Sequence, residues 1–425
     1  MTSVRARPAC ARRSGGPRRP AGTRRPGVGL LLVAALAGVL VVNPHTAAGQ
    51  SSWLTGYVLT VPLFSGATSL SESNASSFNR FRLSTEQAFG PFVFEAAYEH
   101  ALTFQRNATP LSLGLGGLTA IQSGGEWLDL QGTITSHDQE HVLWRHRFDR
   151  LNVAWSPTEA LELSVGRQAI SWGTTQILTP ADPFPAFSPT DPFQVFRAGV
   201  DAARLRIYPS PLSEIDVVFR PSRTDVGEEV TALARGFATW KNWGISAWGG
   251  MLYGDPTGAV GATGGIGPWA VHFEAVVRDY HGTVAGRGAV GTFRLFQVAE
   301  RDLTIAAEYQ RDGRGAAGPD ELLAVLQSRE FRRGEYQVFG RDEVAVTAAY
   351  QIHPLWSITS TAIWNLNDRS ALVFPGFSYS VSNEASLVGG VFTGTGPGDF
   401  VPGRPLPSIY GLAGITGYLS LTWYF

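Results

Sequence analysis

The chain ends in Gly417-Tyr418-Leu419-Ser420-Leu421-Thr422-Trp423-Tyr424-Phe425, and this stretch decides the fold. Successive side chains of a β-strand point to opposite faces, so the four odd-numbered residues from Leu419 to Phe425 form one apolar face. The alternation continues to the last residue, whereas the termini of soluble domains usually fray into water. A closed barrel in lipid explains such an ending, because its last strand pairs with its first and its outer face contacts hydrocarbon.

These nine residues resemble the C-terminal signature of bacterial outer-membrane β-barrels. The resemblance implies that Trp423 and Phe425 form an assembly signal, that the barrel-assembly machinery is a partner, and that the protein resides in the bacterial outer membrane. Outer-membrane lipid is then the second partner.

The other end of the chain has the three parts of a secretory signal peptide. Residues 1–27 contain eight arginines and no acid, Val28–Val42 is an uninterrupted apolar run, and small residues follow at 46–49. The run is too short for a comfortable transmembrane helix. We expect residues 1–49 to be a cleaved signal peptide and residues 50–425 to form the outer-membrane β-barrel.

The composition excludes several kinds of function. Without the eight leader arginines, the 34 basic residues fall to 26 against 35 acids, so no basic field is left for nucleic acid. Cys10 is the only cysteine and lies in the leader, which excludes disulfides, thiolate metal sites and a lipoprotein anchor from the mature chain. We expect no cofactor and no metal. His137-Asp138-Gln139-Glu140-His141 has metal-ligating residue types but falls in a predicted loop.

Most of the mature sequence alternates with period two in pieces of 9–12 residues, the length of a tilted membrane strand. We predict an all-β fold: one transmembrane antiparallel β-barrel of about 16 strands, with 14–18 allowed. The predicted strand centres are residues 58, 83, 97, 150, 165, 204, 217, 236, 249, 273, 292, 306, 348, 361, 375, 388 and 419. These are 17, and because bacterial single-chain barrels close with an even number, one of them is expected to be wrong. The weakest are those at 58 and 249.

Features between the strands indicate two different barrel ends. Aromatic residues at predicted strand ends suit interfacial girdles, namely Trp53, Tyr57, Trp155, Tyr208, Trp240, Trp243, Trp356 and Trp364. Four connections are long: Gln105–Val142, Gly173–Ala198, Gly313–Tyr336 and Thr393–Gly414. Pro319-Asp320-Glu321 followed by apolar residues predicts a short helix in the third of them. The proline-rich Gly173–Ala198 loop suits either a constriction inside the barrel or an external cap.

One internal motif adds a resemblance. Val165-Gly166-Arg167-Gln168 leads through a Trp-Gly corner and a long loop into Gly199-Val200-Asp201. This order resembles a group of bacterial outer-membrane porin-like proteins that includes the alginate-export barrels. The resemblance implies a wide barrel with a charged lumen, and the cargo stays open because the loop here consists largely of Pro, Phe and Asp.

Charged residues on the predicted hydrophilic faces are the candidate pore-lining set. Opposed arginines and carboxylates set a field across a channel and orient polar solutes, although they also neutralise each other. The predicted set is Arg80, Arg82, Glu95, Glu99, Arg204, Arg206, Asp216, Arg220, Glu274, Arg278, Arg294 and Glu308.

The sequence therefore predicts a channel that passes small hydrophilic solutes, with anion preference left open, and no catalytic residues. Two alternatives remain: a barrel-embedded enzyme of the lipase or protease type, and a structural or adhesive barrel that conducts nothing. A homo-oligomer is compatible with this reading, but no residue pattern identifies a subunit seam.

Overall fold

The structure is a computed structural model that describes residues 53–107, 125–134, 141–189, 191 and 193–425. The expected signal peptide and the segment His137–Glu140 lie outside the described residues. The described residues contain two helices, α1 (Pro319–Gln327) and α2 (Arg329–Arg332). None of the described helices is long and apolar enough to cross a membrane. The strands are β1 (Thr55–Ser65), β2 (Asn74–Phe89), β3 (Phe92–Gln105), β4 (Gln131–Ile134), β5 (Val142–Thr158), β6 (Leu161–Gln168), β7 (Val200–Ser210), β8 (Ser213–Thr224), β9 (Gly227–Trp240), β10 (Trp243–Leu252), β11 (Asp255–Ile266), β12 (Trp269–Tyr280), β13 (Thr283–Val298), β14 (Arg301–Asp312), β15 (Asp342–His353), β16 (Trp356–Asn365), β17 (Ala371–Ser380), β18 (Ala385–Thr395) and β19 (Thr416–Tyr424).

The strands form one antiparallel sheet that closes on itself. β1 pairs with β2 on one side and with β19 on the other, for example Val58 with Trp423. The short strand β4 is an addition, because β3 already pairs with β5 along its length and β4 takes the other edge of β5 beyond its last pair with β6. The barrel therefore has 18 strands plus this extra one.

The predicted barrel is confirmed, and the strand number is 18 rather than 16. All 17 predicted centres lie in strands, including those at 58 and 249, so the expectation that one of them is wrong is itself wrong. The even number is reached because the prediction missed β11. Its sequence, Asp255-Pro-Thr-Gly-Ala-Val-Gly-Ala-Thr-Gly-Gly-Ile266, contains too few large apolar residues to show a period of two.

The two ends of the barrel differ as predicted. Short turns join the strands at the end that contains both termini of the barrel, which we call the turn end. Four long connections leave and re-enter the barrel at the opposite end, the loop end: residues 106–141, of which 108–124 and 135–140 lie outside the described residues, and residues 169–199, 313–341 and 396–415. The predicted loop helix is α1, whose Leu322 and Val325 are buried against inward residues of β15 to β18.

The two faces of the sheet carry the predicted residue types. On β12, Phe273 and Val277 are 41% and 53% exposed, whereas the alternate residues His272, Glu274 and Arg278 are buried. Leu419 and Phe425 of the terminal strand likewise face outward, at 45% and 50% exposed. The outer face is therefore an apolar belt.

The aromatic girdle is only partly as predicted. Trp155, Trp240, Trp356 and Trp364 are exposed on the outside. Tyr57 is instead buried inside the ring, where it stacks on Phe196 with 6.1 Å between ring centroids. The girdle prediction is therefore wrong for Tyr57, because its side chain lies on the inward face of β1 and contacts Phe196 inside the barrel.

Candidate functional site

The connection between β6 and β7, residues 169–199, folds into the barrel, and we call it the inner loop. Trp172 and Phe184 belong to a buried cluster with the inward residues Val218 and Trp248 of β8 and β10. Further along, Phe193 packs edge-on against Tyr418 of β19 at 4.9 Å between ring centroids. Because β10 and β19 lie far apart around the ring, one segment reaches both only by crossing the interior.

Two carboxylates on the barrel wall hold the first half of the inner loop. Glu274 on β12 accepts hydrogen bonds from the backbone N–H groups of Thr174 at 2.7 Å and Ala181 at 2.8 Å. Glu308 on β14 accepts three more, from the N–H groups of Gln176, Ile177 and Leu178 at 2.7–3.0 Å. A carboxylate is a strong acceptor for such donors, so these two side chains clamp a stretch that has no secondary structure of its own.

The predicted role of these two residues therefore needs correction. Both side chains point inward, but each is only 2% exposed and lies beneath the inner loop. His272 completes the site by bonding Glu308 through its Nε2 at 2.7 Å. Sequence alone did not reveal this function, because the carboxylates bind backbone that is 93–132 residues away along the chain.

A third anchor joins the wall to the loop near its start. Asp216 on β8 accepts the indole N–H of Trp172 at 2.7 Å and forms an ion pair with Arg204 on β7 at 2.7 Å. Asp216 has no exposed surface. The predicted opposition of Arg204 and Asp216 is present, and it serves to hold the inner loop.

The densest charge network lies on β2, β3 and β5. Arg82 contacts Glu99 at 2.6 Å and Asp149 at 2.9 Å, and Arg147 and Arg150 complete the network at 2.6–3.4 Å from these carboxylates. The inner loop joins it through the carbonyl of Arg197, which accepts from Arg150 at 2.6 Å.

Prediction missed Arg147, Asp149 and Arg150. The register of β3 with β5 passes from Tyr98–Phe148 to Ala97–Arg150, so Asp149 forms a bulge. A bulge breaks the period of two, and Asp149 and Arg150 both reach the inside. Charged residues in consecutive positions are the signal that a pattern search with a bulge allowed would have found.

Three predicted residues, Arg206, Glu95 and Arg80, lie inside with looser partners. Arg206 contacts Glu162 across the sheet. Glu95 bonds Asn152 at 2.8 Å and is 3.8 Å from Arg150. Arg80 donates to the backbone carbonyl of Phe193 at 3.4 Å.

Arg278 and Arg220 meet near the loop end around Tyr253. Arg278 pairs with Asp255 and Glu335, each at 2.6 Å. Arg220 is buried and donates to the Tyr253 hydroxyl at 3.2 Å. Both guanidinium groups therefore face inward.

Arg294 does not line the lumen, and its prediction is wrong. Its register partner on β14 is Ile305, and its guanidinium lies 5.0 Å from the ring centroid of Trp269 and 4.6 Å from that of Phe296. Trp269 shares the outward face of β12 with exposed Phe273. The aromatic contacts hold the cation on the outside of the barrel near the turn end.

The Gly-Arg-Gln and Gly-Val-Asp motif is structural. Arg167 and Asp201 form a two-pronged ion pair, with both contacts at 2.8 Å. Asp201 also accepts the N–H groups of Trp127 and Leu128 at 2.8 Å. The pair thus holds residues 125–130 against the barrel wall at the loop end, where β6 ends and β7 begins.

The opposite side of the lumen is lined by hydroxyl groups, and we call it the hydroxyl wall. Strands β16 to β19 contain no charged residue. Inward hydroxyls bond to each other across strands, as in Thr347 with Thr361 at 3.1 Å and Ser357 with Ser378 at 2.6 Å. None of the hydroxyl wall residues is fully buried, and they are Thr347, Ser357, Thr359, Thr361, Ser378, Ser380 and Ser386.

Burial perturbs one acid of the inner loop. The Asp191 carboxyl accepts the N–H of Phe193 at 2.8 Å. Burial raises its pKa, although hydrogen bonds from Phe193 and Gln194 and the charge of Arg80 act in the opposite direction. The neutral form of this carboxyl is therefore favoured by its position.

Comparison with solved structures supports the fold. The outer membrane protein OpdK from Pseudomonas aeruginosa aligns with a TM-score of 0.50 over 88% of this chain and 98% of its own, at 7% identity. Acinetobacter baumannii OccAB4 (TM-score 0.49, 8% identity, 88% and 99% covered) and Pseudomonas aeruginosa OccD3 (TM-score 0.48, 11% identity, 89% and 93% covered) are also similar. No family model and no curated protein matches the sequence. The fold is that of a porin-like outer-membrane β-barrel.

Proposed function

We propose that the protein is an outer-membrane channel for the passive passage of small hydrophilic solutes. The observation that carries this proposal is the inner loop, which crosses the interior and packs on part of the wall while the hydroxyl wall stays accessible. A barrel of this strand number is wide enough to hold an aqueous channel, and a loop within it narrows the bore.

The two walls offer a solute different contacts. The hydroxyl wall supplies groups that both donate and accept hydrogen bonds, so it replaces the hydration of polar solutes without selecting a charge. On the other side, Arg206 and Arg235 are only partly buried and project from β7 and β9. Arginine forms paired hydrogen bonds to carboxylates and phosphates.

A preference for anions follows from the unequal pairing of the inward charges. Among the described residues, Arg80, Arg220 and Arg235 have no carboxylate oxygen within 4.0 Å. Glu99, Asp149 and Asp216 are all engaged by arginine. Glu274 and Glu308 have no arginine partner in the described part of the chain either, but they are buried beneath the inner loop, so Arg80 and Arg235, which are partly exposed, carry the unpaired charge that a solute can reach.

Assembly in the outer membrane is part of the proposal. The apolar outer belt and the terminal strand with Trp423 and Phe425 facing outward support insertion from the turn end. Export through the leader at residues 1–49 and recognition by the barrel-assembly machinery complete the expected route.

Conductance of the purified full chain in a planar bilayer tests the proposal. We expect open-channel current in potassium chloride and a reversal potential under a salt gradient that indicates anion preference. Arg235→Glu should shift this potential toward cation preference. Arg294→Glu is the matched control on the outer face and should leave it unchanged. A folded, inserted wild-type protein that passes no current would contradict the proposal.

A further inference from the structure

Arg220 is a buried arginine that no carboxylate of the described chain contacts. It is 1% exposed on the inward face of β8. Its Nη1 donates to the Tyr253 hydroxyl at 3.2 Å, whereas its Nε and Nη2 have no hydrogen-bond partner among the described residues. One edge of the guanidinium is thus unpaired.

In other inward or buried arginines of this protein, that same edge holds a carboxylate. The Nε and Nη2 atoms of Arg167 bind Asp201, those of Arg204 bind Asp216, and those of Arg278 bind Asp255, all at 2.6–3.1 Å. The planar fork of arginine matches a carboxylate or phosphate through these two parallel N–H groups. Arg220 offers the same fork without an internal partner.

The unpaired charge has an energetic cost that calls for a partner. Arginine does not lose its proton in proteins, and an isolated buried charge is expensive. The Tyr253 ring, 5.3 Å from the guanidinium, offsets part of this cost.

Tyr253 is held in a fixed position beside Arg220. Tyr253 lies in a two-residue turn with a φ of 52°, a left-handed conformation that is uncommon for a tyrosine. Its N–H bonds Thr231, the residue directly opposite Arg220 on β9, at 3.1 Å. The same ring also faces Arg333 at 4.7 Å and Arg278 at 5.9 Å. Three guanidinium groups therefore surround one tyrosine.

We propose that the Nε and Nη2 edge of Arg220 binds a small free oxyanion, a carboxylate or a phosphate, through two parallel hydrogen bonds. The inference deepens the proposed function and rests on it for the entry of the anion from the lumen. Tyr253 positions the guanidinium. The neighbouring Arg278 and Arg333 are paired with Asp255, Glu335 and Glu229, so the unpaired charge at this site is that of Arg220.

Thermal unfolding of the detergent-solubilised full chain tests this site without any transport. Chloride is exchanged at constant ionic strength for acetate in one series and for inorganic phosphate in another, which separates the two classes of anion. A ligand that binds only the folded state raises the Tm, so we expect a saturable rise of a few degrees for the wild type in at least one series. Arg220→Met should show no rise and should be at least as stable as the wild type in chloride, because it removes an unpaired charge.

Two further variants keep the result interpretable. Arg220→Lys retains the charge but lacks the planar fork, so it should fold and lose the response. Arg223→Met changes an exposed, outward arginine of the same strand and should keep it. An equal rise in Arg220→Met, or no rise in the wild type in either series, overturns the site. If the protein conducts ions but its Tm does not depend on the anion, the Arg220 site is contradicted and the proposed channel is not. If the Tm depends on the anion but the inserted protein passes no current, the proposed channel is contradicted and the Arg220 site is not.

Discussion

The charged half of the lumen and the hydroxyl wall differ in burial and in hydrogen-bond partners. From β2 to β14, inward charges are mostly buried and committed to each other or to the inner loop, as in Asp216, Glu274 and Glu308. On β15 to β18, the hydroxyl wall bonds only between neighbouring strands and stays accessible. The charged side chains of this barrel therefore hold the inner loop that narrows the lumen. The uncharged hydroxyl wall is the side that passing solutes can contact.

Releasing the inner loop should have the largest effect. In Glu274→Ala combined with Glu308→Ala, six backbone N–H groups lose their acceptor. Each such loss costs about 1–3 kcal/mol when the donor stays buried, so the loop should leave the wall. We expect a severalfold larger single-channel conductance, measured in a planar bilayer.

Glu384→Ala, at an exposed turn on the other end, is the control and should keep wild-type conductance. Unchanged current in the double variant would mean that the clamp does not set the bore.

Breaking one internal ion pair should have the next largest effect. Asp216→Asn leaves Arg204 buried without its carboxylate and weakens the Trp172 contact, which should cost about 3 kcal/mol in the free energy of unfolding. Glu228→Gln breaks the exposed pair with Arg223 and should cost less than about 1 kcal/mol. Urea unfolding in detergent measures both, and equal losses would remove the distinction between buried and exposed pairs.

Changing the hydroxyl wall should alter passage without altering stability much. Thr359→Val keeps the shape of an exposed inward residue but removes its hydroxyl. We expect a modest decrease in the rate of swelling of proteoliposomes in a neutral polyol, with the anion-to-cation permeability ratio unchanged. Thr85→Val, which removes an outward hydroxyl of β2 that donates to the Trp53 carbonyl, is the control away from the lumen. A changed ion ratio would show that this wall also contributes to charge selection.

The smallest expected effect concerns Asp191. Because burial raises its pKa in the folded state, the wild type loses stability as the pH rises through the interval above the ordinary pKa of aspartate. Asp191→Asn should therefore be slightly more stable than the wild type at neutral pH, and the difference should shrink as the pH falls. Hydrogen exchange at Phe193 and its neighbours reports this local stability, and a difference that grows in acid would contradict it.

The sequence predicted the barrel because lipid and water impose a period of two on every strand. The prediction failed at the Asp149 bulge, where an extra residue interrupts the period of two. It also failed in the glycine-rich β11, where too few large apolar residues are present to show that period. It also placed Arg294 inside, although its aromatic neighbours show that a cation on the outer face near the turn end is tolerated. The absence of charge from β16 to β19 is visible in the sequence, but its meaning depends on knowing that these strands adjoin.

Contacts between the inner loop and distant strands were beyond any local pattern. The grip of Glu308 on residues 176–178 joins positions about 130 apart, and no periodicity relates them. The prediction left this loop either inside or outside the barrel, and the structure places it inside. Apolar residues on the inward face, such as Val218 and Trp248, are the sequence feature that indicates a loop packed inside the barrel, and the prediction overlooked them.

The attachment of the inner loop has a consequence for how such barrels diversify. Gln168 and Val200, the residues on either side of it, are register partners in the sheet. The whole excursion therefore begins and ends at one rung of the ladder, and neighbouring strands keep their alignment whatever is inserted there. The inner loop can therefore be replaced by another loop without changing the strand register, so the solute specificity of the channel can change while the barrel stays the same.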